Sequence, residues 1–241
     1  MRALLLAGGF GSRLRPLTDT IPKCLVPIRG KPLLAYWLDL LFLAGIERTL
    51  INTHHLADKV RNFVLRSPWH ERIDLAHEAV LLGTGGTIVA NRAYLGHRPL
   101  LVAHADNLTD FDPKWLAAAH AARPRGCILT MLAFRTDDPK SCGILQTDQA
   151  GIVRAFHEKV EAPPDNLANA GVYILEPEVV DYGAALNKPV LDFQTEVIPQ
   201  LLDRIFAVEH RGYHRDIGTL KSLSRAQVDF LTRSRVMTPV L

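Results

Sequence analysis

The stretch ALLLAGGFGSRLRPLTDTIPKCLVPI, residues 3–28, begins with an unbroken apolar run, Ala3 to Leu6, and empties into glycines 8, 9 and 11. A short apolar run ending in glycine is the pattern of a central strand, covered on both faces, entering a loop whose backbone must come close to something. Amides turned inward there suit a polyphosphate, and Arg13 and Lys23 add positive charge. A dinucleotide loop needs a glycine where Leu14 stands, and the next strand ends in Asn52-Thr53 without a ribose-binding acid, so a nicotinamide-dependent dehydrogenase is set aside. No Gly-Lys-Ser/Thr closes the loop either, which sets aside a Walker loop. A purely structural glycine turn accounts for Gly8 and Gly9 but leaves Arg13 and Lys23 unexplained.

Outward from this loop, strand and helix patterns alternate. The segment at 32–45, with Pro at its opening and Gly45 near its end, predicts a helix. Strands are predicted at 48–53, 73–78 and 99–106, separated by helices at 56–65 and 85–95, with a further helix at 112–122. This order predicts an α/β fold with a Rossmann-like, mixed but mostly parallel sheet flanked by helices, and ligands beyond the carboxyl ends of its strands. Beyond strand 127–134 the grammar changes to strand-like pieces at 143–147, 152–158 and 168–175, divided by turns, which read as a mixed extension carrying a second substrate. The last elements read as a helix at 191–203, strands at 205–210 and 212–218, and a closing helix at 219–234. A single domain over 1–241 is expected, with a nucleotide-binding part at about 1–110 and a closing part that carries the second substrate at about 111–241.

The 28 basic and 25 acidic residues are intermixed, giving a formal charge of +3 without any basic run, so charge does not point to nucleic acid. The first apolar run is too short for a signal-peptide core or a membrane span. Cys24, Cys127 and Cys142 are odd in number and widely spaced, which suggests no disulfide framework or zinc site and fits a reducing cytoplasm.

Several residues carry chemistry beyond the loop. Asp106 sits where an apolar strand leaves the sheet and Asp216 precedes Ile217-Gly218; together they suit Mg²⁺, which takes a few protein oxygens, while either alone reads as a turn or cap. LLGTGGT, 81–87, opens a helix, and its backbone can run beneath a planar base or form a tight turn. Glu158-Lys159 ends a strand, where adjacent side chains would point to opposite faces if strand geometry persisted. Asp192 reads as a helix cap, with Glu196 in the first turn. The remaining histidines, the pair His54-His55 included, show no metal-ligand spacing and read as surface or loop residues.

Residues 8–28 resemble the GGxGTRLxPLTxxxPKxLxPI motif of sugar-1-phosphate nucleotidyltransferases, with Ser12 for the usual Thr. The resemblance covers essentially the whole chain through Leu82-Gly83-Thr84-Gly85-Gly86, Asp106, Gly143, Glu158-Lys159, Asn169-Ala170-Gly171 and Asp216-Ile217-Gly218-Thr219. It departs from the family pattern at Ala105, usually Gly, and at Val160, usually Pro. The family implies transfer of a nucleoside monophosphate to a sugar 1-phosphate with release of pyrophosphate, with Mg²⁺ on Asp106 and Asp216. It implies Arg13, Lys23, Asp106 and Asp216 as catalytic residues. Leu6, Ala7, Gly8, Gly9, Gly11, Ser12, Arg13, Lys23, Glu78, Gly83, Thr84 and Gly85 would contact the nucleotide. Asn107, Gly143, Glu158, Lys159, Asn169, Gly171 and Glu196 would contact the sugar phosphate, with Gly171 making room for the ring. Within the family the chain most resembles guanylyltransferases for mannose- or heptose-1-phosphate, which favours GTP. The uridylyltransferases for N-acetylmuramate 1-phosphate are also near. A cytidylyltransferase for a non-sugar phosphate and a catalytically silent nucleotide-sugar sensor are the other readings.

Overall fold

A computed structural model describes residues 1–234. The first half alternates as predicted: β1 (Arg2–Leu6), a two-stranded ribbon of β2 (Pro27–Ile28) and β3 (Lys31–Pro32), α1 (Leu33–Leu43), β4 (Thr49–Thr53), α2 (Ala57–Leu65), β5 (Ile73–His77), α3 (Gly83–Ala90), α4 (Arg92–Leu95), β6 (Leu100–His104), β7 (Asn107–Thr109) and α5 (Pro113–Ala121). The second half contributes β8 (Leu129–Arg135), β9 (Gly143–Thr147), β10 (Val153–Glu158), β11 (Leu167–Leu175), α6 (Pro177–Ala185), β12 (Ile205–Glu209), β13 (His214–Asp216) and α7 (Leu220–Ser234).

Among the described residues nine strands form the principal sheet, whose main path runs β10-β9-β11-β6-β1-β4-β5, with β8 and β12 continuing from β11. Strands β6, β1, β4 and β5 pair in parallel, while β11 runs antiparallel to β6 and β8. The sheet is therefore mixed and mostly parallel, with β6 joining the two halves of the chain.

Both faces are covered, and the period of two shows it. Ala3, Leu5, Leu101, Ala103, Val172 and Ile174 share one core with residues of α1, α2, α5 and α7. Leu4, Leu100, Val102, Tyr173 and Leu175 share the other with residues of α3, α6 and the 193–201 segment. Trp37 of α1 is fully buried, and its indole donates to the carbonyl of Asn107 at 2.8 Å, tying the first helix to the strand that follows Asp106.

Three local expectations are corrected. The helix expected at 85–95 begins two residues earlier and is broken between α3 and α4 at Asn91, whose side-chain amide donates to the carbonyl of Thr87 at 2.8 Å. The helix expected at 191–203 is a wide turn over Phe193–Val197 followed by a tight one over Ile198–Leu201. Pro199 removes an amide donor there, so the regular ladder of helical hydrogen bonds cannot run through it. α6 was not foreseen: Pro177 occupies a favourable first position, but Gly183 interrupts its apolar pattern because it packs against Val89.

Candidate active site

The glycine loop leaves β1 at the carboxyl edge of the sheet and is fixed by its neighbours. Ala7 N donates to Asn52 Oδ1 at 2.6 Å, and a β-carbon on Gly8 would stand 2.9 Å from Asn52 Nδ2. Gly11 adopts φ +64°, which glycine tolerates without strain, and its carbonyl accepts from the Thr18 hydroxyl at 2.8 Å. Gly9 has open space where a side chain would be, Ser12 and Arg13 are exposed, and Leu14 is buried as the anchor of the turn. His54 and His55 brace this edge from beyond β4: one ring bonds the carbonyl of Glu78 at 2.7 Å, the other that of Thr18 at 2.8 Å.

The two distant acids meet. β13 pairs antiparallel with β7, setting Asp216 opposite Asn107 and next to the turn that carries Asp106. Lys23 Nζ lies 2.6 Å from Asp106 Oδ2 and 3.1 Å from Asp216 Oδ1, and Arg13 approaches Asp216 at 3.6 Å. Burial opposes the charge on Lys23, but the Asp106 and Asp216 carboxylates outweigh it and hold the ammonium above its usual range. Burial also works against Asp106, and the charge of Lys23 reverses that, keeping its carboxyl below the usual range. Ala105, the departure from the family pattern, is fully buried in the core beneath this turn.

Several residues expected against the nucleotide also hold the loops in place. Glu78 is buried; its Oε1 accepts from Asn52 Nδ2 at 3.0 Å and from the Thr87 hydroxyl at 2.6 Å, and its Oε2 from Leu82 N at 3.2 Å. It is thus a brace between the glycine loop and the Leu82–Gly86 turn. The amides of Gly85 and Gly86 both donate to Leu191 O, at 2.8 and 3.0 Å. Thr84 is likewise engaged, its hydroxyl accepting from Phe193 N at 2.8 Å. Gly83, at φ +77°, would place a β-carbon 2.5 Å from Leu191 O. These glycines let the turn dock on the 191–193 backbone, and the tight-turn reading describes their geometry.

On the sugar side, Glu158 and Gly143 face each other across β10 and β9. Strand geometry does not persist past Glu158: Lys159 turns to φ +49°, and its Nζ comes back to 2.9 Å from Glu158 Oε1. Asn169 is spent internally, donating to the Tyr173 hydroxyl at 2.7 Å and accepting from Gly171 N at 2.9 Å. Gly171, at φ +66° in the β11 bulge, makes room for the protein's own His104 and Asn107, 3.2 and 3.1 Å from where its β-carbon would be. Asn107 Nδ2 donates to the carbonyl of Ala170 at 3.0 Å. Asp192 caps the 193–197 turn, accepting from the amides of Gln194 and Thr195, while Glu196 accepts from Asp192 N at 2.8 Å and pairs with Lys188.

Three histidines are not the surface or loop residues expected. His120 is buried in α5. His104 ends β6, and His214 lies in β13 with its ring 4.4 Å from that of Phe134. Burial pushes His214 down to about 3. The signal was in the sequence: each site aspartate is preceded two positions earlier by a histidine, His104 before Asp106 and His214 before Asp216.

A glycine loop, two acids and two cations at the carboxyl edge of a mostly parallel sheet define a class. The chain belongs to the nucleotidyl transferase family, whose profile matches residues 2–233. It is 33% identical over 244 residues to mannose-1-phosphate guanylyltransferase of Mycobacterium tuberculosis, covering 99% of this chain and 67% of that protein. It is 30% identical over 237 residues to the catalytic subunit beta of mannose-1-phosphate guanylyltransferase of Drosophila melanogaster, covering 96% of this chain and 61% of that one. The chain thus spans about three fifths of the length of the latter. Among solved structures, HddC from Yersinia pseudotuberculosis complexed with GMP-PN superposes with a TM-score of 0.79 at 25% identity, covering 95% of this chain and 99% of that one.

Proposed function

We propose that this chain transfers a nucleoside monophosphate, from GTP by preference, to a mannose- or heptose-type sugar 1-phosphate, giving a nucleoside diphosphate sugar and pyrophosphate. The observation that carries this reading is the meeting of Asp106 and Asp216 on Lys23, beside the open glycine loop and Arg13. The preference for GTP is supported by the guanylyltransferase names of the curated relatives and by the guanine nucleotide named with the HddC structure.

The reaction needs no base, because the attacking sugar phosphate oxygen is already an anion. It forms a bond to the α-phosphorus as the bond to the bridging oxygen of pyrophosphate breaks in line. The protein's task is to hold two mutually repelling anions in alignment and offset their charge. Open amides at Gly9 and in the exposed Ser12–Arg13 turn would receive the triphosphate, with Arg13 and Lys23 as its cations. On the other side Lys159 would hold the sugar phosphate and Glu158 accept from sugar hydroxyls. Asp106 and Asp216 fit Mg²⁺: both offer carboxylate oxygen, and one ammonium already touches an oxygen of each. When bound there, the ion would supply charge neutralisation to phosphate oxygens.

The test is to incubate the purified protein and Mg²⁺ with each of four nucleoside triphosphates against a panel of sugar 1-phosphates, measuring pyrophosphate. GTP with a mannose- or heptose-type phosphate should release it fastest; no release from any pair would overturn the proposal.

A further inference from the structure

We propose that His104 is a specificity-determining residue that hydrogen-bonds a hydroxyl of the bound sugar; the proposal rests on the sugar-phosphate reading above and assigns one further contact of that site. β6 lies between the two halves of the sheet, and its last residue, His104, is in register with Leu6 at the mouth of the glycine loop. The imidazole leans the other way, over β11. A β-carbon on Gly171 would meet its Cγ at 3.2 Å and its Cδ2 at 3.3 Å, so the positive-φ glycine in the bulge is what admits the ring. Tyr173, two residues on, presents its ring edge-on at 6.4 Å between centroids and is itself held by Asn169. The ring is thus fixed by packing, while its Nε2 is buried and has no partner.

That orphan nitrogen is one of a group. Six buried side-chain polar atoms among the described residues lack a partner, and four of them lie on the strands that build the site: His104 Nε2, Thr109 Oγ1, Glu158 Oε2 and His214 Nδ1. Folded interiors leave few polar atoms unpaired, so their concentration on these strands marks a place completed by something bound. The chemistry narrows what that is. Glu158 can only accept, a ring nitrogen can donate or accept, and a hydroxyl does both. The amide nitrogens of Asn107 and Asn169 each spend one of their two N–H groups within the protein, whereas His104 Nε2 and Glu158 Oε2 spend nothing, which makes the imidazole and the carboxylate the leading readers of a polyhydroxyl ligand.

The test is steady-state kinetics of pyrophosphate release, varying the sugar 1-phosphate and the nucleotide in turn, for wild type, His104→Phe and His104→Gln. His104→Phe keeps a ring without a hydrogen-bonding atom; it should raise the KM for the sugar phosphate about tenfold and leave that for the nucleotide within about twofold, and His104→Gln should restore much of the loss. Among deoxy analogues of the sugar phosphate, the one lacking the hydroxyl that His104 reads should no longer distinguish wild type from His104→Phe. An unchanged sugar-phosphate KM, as a structural water on Nε2 would give, overturns the inference. So does an equal rise in both KM values, or a wild-type advantage that is the same for every deoxy analogue. If wild type turns over no sugar 1-phosphate, the functional reading itself falls; if wild type is active and the variant KM is unaltered, only the role of His104 is lost.

Discussion

The β-carbon that Gly143 lacks would stand 2.5 Å from Oε2 of Glu158, so the carboxylate occupies the room a side chain at 143 would take. The same β-carbon would meet the rim of the Phe156 ring at 2.5 Å, which closes the other way out. Gly143→Ala should therefore rotate the Glu158 carboxylate away from its place, with overpacking costing about 1–3 kcal/mol. The expected outcome is a sugar-phosphate KM raised about tenfold or more and a nearly unchanged nucleotide KM. Equal KM values for variant and wild type would show that Glu158 does not depend on this glycine.

Asp106→Asn removes half of the pair that meets Lys23 while keeping the size of the side chain. Turnover should fall by about 100-fold or more, the scale of losing one well-placed electrostatic contact in a reaction of this kind. Circular dichroism should be unaltered, since the side chain is partly exposed and its carboxylate supports no core packing. Pyrophosphate release near the wild-type rate from the folded variant would remove Asp106 from the chemistry.

Gly83→Ala should act on stability first. It forces a residue with a side chain into φ +77° and drives its β-carbon to 2.5 Å from the carbonyl oxygen of Leu191. Left-handed geometry costs about 1–2 kcal/mol and the overlap about 1–3 more. For a chain of this size that lowers the melting temperature by about 5–15 °C. A differential scanning measurement showing no decrease would mean that the turn does not dock on the 191 segment.

Acid should loosen the fold through His120. Its ring nitrogens bond the Thr130 hydroxyl at 2.8 Å and lie 3.3 Å from Glu176 Oε1. Burial, helped by Arg123 and opposed by Glu176, keeps its pKa below the ordinary 6.5. The unfolded chain therefore takes up a proton near pH 6.5 that the folded one does not. The stability this confers is complete above about pH 6.5 and is lost as pH falls from there through the lower value of the folded state. The urea midpoint of wild type should drop between pH 7.5 and 5.5 by more than that of His120→Gln; parallel decreases would exclude His120 as the cause.

Much of this arrangement was legible from the chain alone, for identifiable reasons. The alternation of β1, α1, β4, α2, β5 and β6 is written in runs long enough to carry a period, and the aspartates announce themselves by following strands. What could not be read was local or depended on distant partners. The 193–201 segment has a helical apolar pattern, yet Pro199 decides its geometry. Glu78 reads as a binding carboxylate until Asn52, 26 residues away, is seen to bond it. Gly171 reads as space for a ligand until His104 is found in that space. Glycine records that something lies close; it does not record whether that something is a substrate or the protein itself.

The ribbon formed by β7 and β13 joins residue 107 to residue 216, and among the described residues no other strand pairing brings the second acid to the first. On the ribosome, a nascent chain with its first two hundred residues released would own the glycine loop, Lys23 and Asp106 but lack the partner acid. Competence must consequently wait for residues 214–216, the three-residue strand that carries the second acid to its mate.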